Sequence, residues 1–593
     1  MASQIPDPER DANSPQESSK STRSHFDSSS DSSESIETYS ERTSLLYQHG
    51  PDYKSTGTNS GEAESRYRNQ DEDEEGKVLG EEQKGKSVFA IIGLLMIGVF
   101  MSNADGSLVM ATYGTISSEF GALADASWLT TSYALATCAV QPITGKLSDI
   151  YGRKIVLLVS YVLFAVGSVI CGIGQTMWQV IAGRVVAGLG AAGMTVIVSI
   201  LITDLVPLIQ VASWRSYVNV VATIGRSIGG PLGGFLADTV GWRWSFIGQG
   251  PIITLAIFLI ALCLPSHTSP AVEPLAQSKP HSQGQRQPSR LHRVDFIGAL
   301  LLASTIVSLL GALSLGGQSF AWSHPVVIGL GVASVVLGAL FVVFEVYGAL
   351  EPVFPPSLII KRDVATAYGI ITLQAAAQLA MMFSIPLYFR TTQNSSNTTA
   401  GSHLFPAVLG NTVGGLLSGL YISRTGHYKS LSLLAALSSS LCYLLLIIRW
   451  KGETGWWESL EIVPGGFGTG IAFSATFIGL TAGVEKGEMA VATSGLYLCS
   501  GLGMVVGVAG ASAVQIGSLR GLLVRALEGV PESGSIIEEV ISNVSSIASL
   551  SPPIRKIVIA SYVKSIENSH ALSLACSLAA FALACTIREH KLR

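Results

Sequence analysis

Gly145-Lys-Leu-Ser-Asp149-Ile-Tyr-Gly152-Arg153-Lys154 joins two apolar runs, 128–147 and 155–173. Charged side chains do not rest in hydrocarbon, so the stretch reads as a short water-exposed turn between two membrane helices. Its glycines permit a tight turn and close approach of neighbouring backbone. Lys146, Arg153 and Lys154 put three cations into that turn, the mark of a cytoplasmic loop.

Working outward from this turn, the same alternation recurs along the chain. Of its 593 residues, 48% are hydrophobic and 13% charged, and the mean hydropathy is +0.45; so apolar a chain of this length uses lipid as its solvent. A helix needs about 20 apolar residues to cross a bilayer. Fourteen stretches qualify: 88–110, 128–147, 155–173, 177–203, 214–237, 245–264, 295–316, 325–347, 364–389, 403–423, 430–449, 459–483, 489–514 and 568–587. With the N-terminus in the cytosol, sixteen Lys and Arg side chains fall on the cytoplasmic side, whereas the short loops opposite carry only Arg243, Arg390, Arg449 and Lys451. Both termini are therefore expected in the cytosol. The Asn-X-Ser/Thr sequons at Asn394, Asn397 and Asn543 lie in loops of the opposite face, where glycosylation occurs.

The expected organisation is a disordered acidic cytosolic tail (1–86), a six-helix bundle (87–264), a cytoplasmic loop (265–294), two additional central helices (295–362), a second six-helix bundle (363–587) and a short cytosolic C-terminus (588–593). The tail holds 19 acidic and 10 basic side chains and too little apolar surface to offset the entropy of ordering. No cleavable signal peptide is expected, so the first apolar helix should direct insertion. Within the second bundle, loop 515–567 carries two amphipathic stretches, Leu522–Leu527 and Ile536–Leu550, expected to lie along the membrane surface. Gly80-Glu-Glu-Gln-Lys-Gly85-Lys86-Ser87 matches the phosphate-loop pattern letter for letter. It lacks the preceding strand that this loop requires and is read as coincidence.

The spans contain no Ser-His-Asp arrangement, metal-ligand cluster or paired carboxylates, so no enzyme, metal or cofactor is expected. The seven cysteines fall in apolar stretches, where disulfides are not expected. Charges inside spans are informative, because each costs about 2.5–3.5 kcal/mol on insertion scales. They are Asp105, Arg184 and Arg226. Apolar surroundings favour a neutral carboxyl group and a nearby cation favours a charged one, which makes Asp105, with Arg184 beside it, the candidate proton carrier.

The turn at 145–154 resembles the signature loop of the major facilitator superfamily, G-x-L-x-D-x-x-G-R-K/R. The resemblance implies that Gly145, Asp149, Gly152, Arg153 and Lys154 form a latch, with Asp149 and Arg153 in a charge network that holds the two halves in one access state. A faded copy, Gly419-Leu-Tyr-Ile-Ser423-Arg-Thr-Gly426-His-Tyr-Lys429, has Ser423 where Asp149 stands in the first, so a weaker second latch is expected. Arg184-Val-Val-Ala-Gly188-Leu-Gly190 resembles the span-4 pattern whose arginine is tied to proton coupling. Gly225-Arg226-Ser-Ile-Gly229-Gly230-Pro231-Leu-Gly233-Gly234 resembles the span-5 antiporter motif, except that Arg226 replaces an uncharged residue; an anionic substrate group and an interfacial carboxylate are both open as its partner.

Fourteen spans imply the drug:proton antiporter branch. The run Ala126-Ser-Trp128-Leu-Thr-Thr-Ser-Tyr133, followed by Gln141-Pro142, is similar to fungal vacuolar basic amino acid transporters. The tail sequence Glu41-Arg-Thr-Ser-Leu45-Leu46 fits an acidic dileucine signal read by vacuolar sorting adaptors. The expected function is exchange of basic amino acids against protons in the vacuolar membrane. A plasma-membrane multidrug:proton exporter and a non-transporting membrane sensor are the alternatives. The expected partners are a small-molecule substrate, protons, lipid and sorting adaptors, with no nucleic acid.

Overall fold

A computed structural model describes residues 60–122, 125–264, 294–316, 320–349, 351–542 and 544–592. The chain divides into two units, Met1–Gly80 and Glu81–Arg593. Residues 60–86, for which the composition predicts no regular structure, are helical; their Glu, Gln, Lys and Arg are good helix formers. The phosphate-loop look-alike at 80–87 lies inside this helix.

Fourteen long helices build the second unit. They are α1 (Val88–Glu119), α2 (Trp128–Tyr151), α3 (Arg153–Ile173), α4 (Met177–Leu205), α5 (Leu208–Thr239), α6 (Arg243–Cys263), α7 (Phe296–Leu315) and α8 (Pro325–Tyr347). The chain continues with α9 (Arg362–Gln393), α10 (Phe405–Thr425), α11 (Lys429–Arg449), α12 (Val463–Ala482), α13 (Met489–Ala526) and α14 (Pro552–Cys585). Among the described residues, thirteen helices are long and apolar enough to cross a membrane. The remaining one, α2, is too polar by that measure because it packs against α4 and α13 inside the protein, where Thr137, Gln141 and Thr144 need not meet lipid.

Helices are the only open-chain answer to hydrocarbon, since every backbone N–H and C=O must be satisfied within the segment. The ends are punctuated locally. Asp295 accepts a hydrogen bond from the Gly298 N–H at 2.8 Å to start α7, and Gly426, at φ 72°, ends α10 in the left-handed region that favours glycine.

Helices α1–α6 form one bundle and α9–α14 the other. The halves meet where α5 packs on α10 and α2 on α13, and the α7–α8 hairpin leans on that seam through α7. All seven cysteines are unpaired. The span-5 motif explains itself in the packing of α5 on α1. A Cβ on Gly225, Gly229 or Gly233 would stand 2.7, 2.2 and 2.9 Å from the carbonyl oxygens of Phe100, Ala104 and Leu108, so only glycine allows this approach. Gly230 faces Ser107, while Gly234 has open space around it. Pro231 lies inside the helix.

The region after residue 514 departs from expectation. At 34 residues, α14 is about 50 Å long and outreaches the bilayer core, as does α13. Their projecting ends fold together with the short helix Ser533–Ser542, burying Leu519, Leu523, Leu527, Ile537, Val540 and Tyr562 in a separate apolar cluster. The apolar faces that suggested membrane-surface helices are thus spent on one another.

Replacing Gly229 by Val should lower the melting temperature of the detergent-purified protein by several degrees, since forcing methyl groups into packed backbone costs about 1–3 kcal/mol. Gly234→Val should leave it unchanged, as read by a thermal melt of both variants.

Candidate functional site

The charged residues singled out in spans 1 and 4 meet inside the first bundle. Arg184 Nη1 of α4 lies 2.5 Å from Asp105 Oδ2 of α1, with side-chain exposures of 1% and 0%. Two further polar atoms of the pair are also occupied. Arg184 Nε donates to the Leu129 carbonyl at 3.0 Å, and Gln249 Nε2 of α6 donates to Asp105 Oδ1 at 3.1 Å. The guanidinium carbon sits 4.2 Å above the centre of the Tyr133 ring, a favourable place for a cation. Gly188 and Gly190, one turn on in α4, let it press against α2 and α3: added Cβ atoms would meet Tyr133 O at 2.6 Å and Ser160 O at 2.4 Å. An open groove of about 450 Å³ on the outer side of α1, α5 and α6 reaches Asp105 and Gln249, and is otherwise lined by apolar residues such as Phe100 and the exposed Leu232 and Trp244.

The 145–154 turn is built as a hub. Gly152, at φ 92°, makes the corner between α2 and α3. Arg153 Nη1 bonds Asp149 Oδ1 at 2.5 Å and Ser148 Oγ at 2.7 Å, and its Nε reaches Asp204 Oδ2 at 3.1 Å. This network ties α2, α3 and α4 within one half. The other half is reached by Gly145 instead, where a Cβ would stand 2.7 Å from both Ala490 O and Ser494 Oγ of α13. Lys146 pairs with Glu351 at 3.1 Å, beyond the hairpin, and Lys154 bonds the Ala261 carbonyl at 2.7 Å.

In the second copy, Ser423 Oγ bonds only the Leu420 carbonyl of its own helix. The carboxylate comes from the C-terminus, where Glu589 accepts the Tyr428 N–H at 3.0 Å and lies 3.2 Å from His427. A carboxylate thus reaches this turn from outside the motif.

Polar contacts close the seam on this same face. Ser216 Oγ donates to Gly415 O at 2.6 Å, and Asn219 Nδ2 and Thr223 Oγ1 both reach Asn411 Oδ1, at 2.9 and 3.2 Å. Arg226 follows on α5, exposed, with no hydrogen bond or ion pair among the described residues.

The family model for the Major Facilitator Superfamily matches residues 95–508. The chain belongs to that superfamily. It is similar to the vacuolar membrane amino acid uptake transporter fnx2 of Schizosaccharomyces pombe, 32% identical over 428 residues that cover 72% of each chain. It is also similar to the multidrug resistance protein fnx1 of the same yeast, 30% identical across 86% of this chain and 94% of that one. Vacuolar basic amino acid transporter 2 of Saccharomyces cerevisiae is 28% identical, with 78% of this chain and 98% of that one covered. This is a multi-pass membrane transporter and not an enzyme.

Several polar residues of this major facilitator protein escaped the sequence reading. Arg215, counted as a loop cation, is buried; it bonds Ser199 Oγ and Tyr497 OH at 2.6 Å each, with Phe477 beneath its guanidinium. It thereby joins α4, α5, α12 and α13. Glu345 lies inside the expected span 325–347, is 4% exposed and accepts the Phe354 N–H at 2.6 Å, so the tally of charges within spans should have included it. Gln249 and Asp204 carried no signal beyond being polar in or beside an apolar run. Asn394 stands exposed at the end of α9. The side chain of Asn397, all of Asn543, and the dileucine residues Glu41, Leu45 and Leu46 lie outside the described residues.

Breaking the buried pair from one side should be costly. Asp105→Asn or Arg184→Gln alone should each destabilise the protein by about 3–5 kcal/mol, because one buried charge is left without a partner. The double variant should recover much of that loss, and a double-mutant cycle on thermal unfolding in one detergent checks this.

Proposed function

We propose that this transporter moves basic amino acids across the vacuolar membrane in exchange for protons, with Asp105 taking up and releasing the proton and Arg184 as its counter-ion. The observation that carries the coupling is the buried Asp105 carboxylate, shared between Arg184 and Gln249 at the floor of an open groove. A proton on Asp105 removes the charge that holds Arg184. The guanidinium then keeps only the Leu129 carbonyl and the Tyr133 ring, which favours a helix arrangement that offers it water or another acceptor. Proton binding and the packing of α1, α4 and α6 are therefore linked, and a proton gradient can bias the arrangement.

The substrate class and membrane follow the names borne by two of the relatives. In this reading the Asp149–Arg153–Asp204 cluster stiffens the face on which the halves close, adaptors read Glu41-Leu45-Leu46, and Asn394, Asn397 and Asn543 are glycan acceptors. A second reading, a multidrug:proton exporter of the cell surface, is favoured by the similarity to fnx1. In that case the binding energy comes from apolar burial instead of charge.

Vacuolar vesicles from cells with and without the protein separate the two. Proton-gradient-driven uptake of labelled lysine, arginine and histidine should require the protein and collapse with an uncoupler. Equal uptake in both preparations, with the protein found at the cell surface, would sink the amino acid reading in favour of drug export.

A further inference from the structure

The polar ladder along α5 ends on a cation that has no hydrogen-bond or ion-pair partner among the described residues. Ser216, Asn219 and Thr223 each meet α10 of the other half. At 100° per residue, Arg226 follows Asn219 by seven positions and Thr223 by three, which returns it to the same side of the helix. The exposed apolar residues of α5 that face lipid, Tyr217, Ile224, Ile228, Leu232 and Phe235, lie on the opposite side. Gly229 and Gly233, three and seven positions further on, press on the backbone of α1. Arg226 thus stands where the α1 and α10 faces of the helix meet, at the border of the space between the halves and one turn beyond the hydrogen bonds that join α5 to α10.

On α10 that turn beyond Asn411 carries Ala407 and Val408, which offer no acceptor. On α1, Asn103 and Ser107 lie next to the glycines that flank Arg226. The interfacial carboxylate that could have explained this arginine is absent among the described residues, in contrast to Arg184, Arg153 and Arg243, which all have carboxylates. A guanidinium in a membrane protein carries a large cost unless it is paired or wet, and its planar fork fits the two oxygens of a carboxylate.

We propose that Arg226 is the anchor for the α-carboxylate of the transported amino acid. This rests on the amino acid reading above and sharpens it. The carboxylate binds in the cleft just beyond the Asn219–Asn411 contact, so the substrate sits directly on the seal that must open for it to pass. Asp105 stays with Arg184 in the interior of the first bundle, and substrate and proton occupy different places.

The test compares lysine with cadaverine, which keeps both amino groups and lacks the carboxylate. Binding to purified wild type, Arg226→Gln and Arg226→Lys in nanodiscs is measured by displacement of labelled lysine and of labelled cadaverine. Wild type should prefer lysine by about tenfold or more, the range expected of a charge-assisted bidentate contact. Arg226→Gln should bind lysine no better than cadaverine, with cadaverine affinity and melting temperature unchanged, because the side chain has no partner to lose. Arg226→Lys, with the charge but not the fork, should keep part of the preference. A lysine-to-cadaverine ratio in Arg226→Gln equal to that of wild type overturns the assignment alone. Wild type that binds no lysine overturns the amino acid reading as well.

Discussion

An arginine and an aspartate held 2.5 Å apart with almost no exposure are the constraint around which the first bundle is arranged. Neither charge is tolerable alone at that depth. Their union demands that α1 and α4 lie side by side, that Leu129 of α2 turn its carbonyl inward, and that α6 bring Gln249 to the remaining carboxylate oxygen. The small residues follow from the same demand: Gly188 and Gly190 bring α4 close to α2 and α3, and the glycines of α5 bring it onto α1. With no hydrophobic drive between helices in lipid, packing and polar contacts of this kind hold the bundle together.

The two halves are joined by quite different means. Arg215, buried against Phe477 with its donors on Ser199 of its own half and Tyr497 of the other, is a cation that bonds across the seam. The rest of the closure is made of small residues and neutral hydrogen bonds, as at Gly145 and Asn411. Neutral contacts of about 1 kcal/mol each can be made and broken at modest cost, which suits a seam that has to open. The costly charge pair lies within a half, where it stays packed.

Most of the architecture was legible in the sequence because hydrocarbon imposes a local rule: an apolar run of sufficient length is a helix. The 145–154 turn was legible for the same reason, its charges marking water and its glycines marking a corner. The pairing of Asp105 with Arg184 could be anticipated because lone charges in spans need partners. What remained hidden depends on neighbours distant in the chain. Arg215 looks like a loop cation until α13 brings Tyr497 to it. The amphipathic stretches of 515–567 cannot declare from periodicity whether they cover lipid or one another. Ser423 signals a lost carboxylate, but nothing local signals that Glu589 returns one.

Reconstitution of the Asp105→Asn protein with a preloaded basic amino acid shows whether coupling runs through this carboxylate. Exchange of labelled for unlabelled substrate should persist across the proteoliposome membrane, while accumulation against a gradient, driven by an imposed pH difference, should be lost. Undiminished pH-driven accumulation by Asp105→Asn, at wild-type rates of exchange, would contradict it.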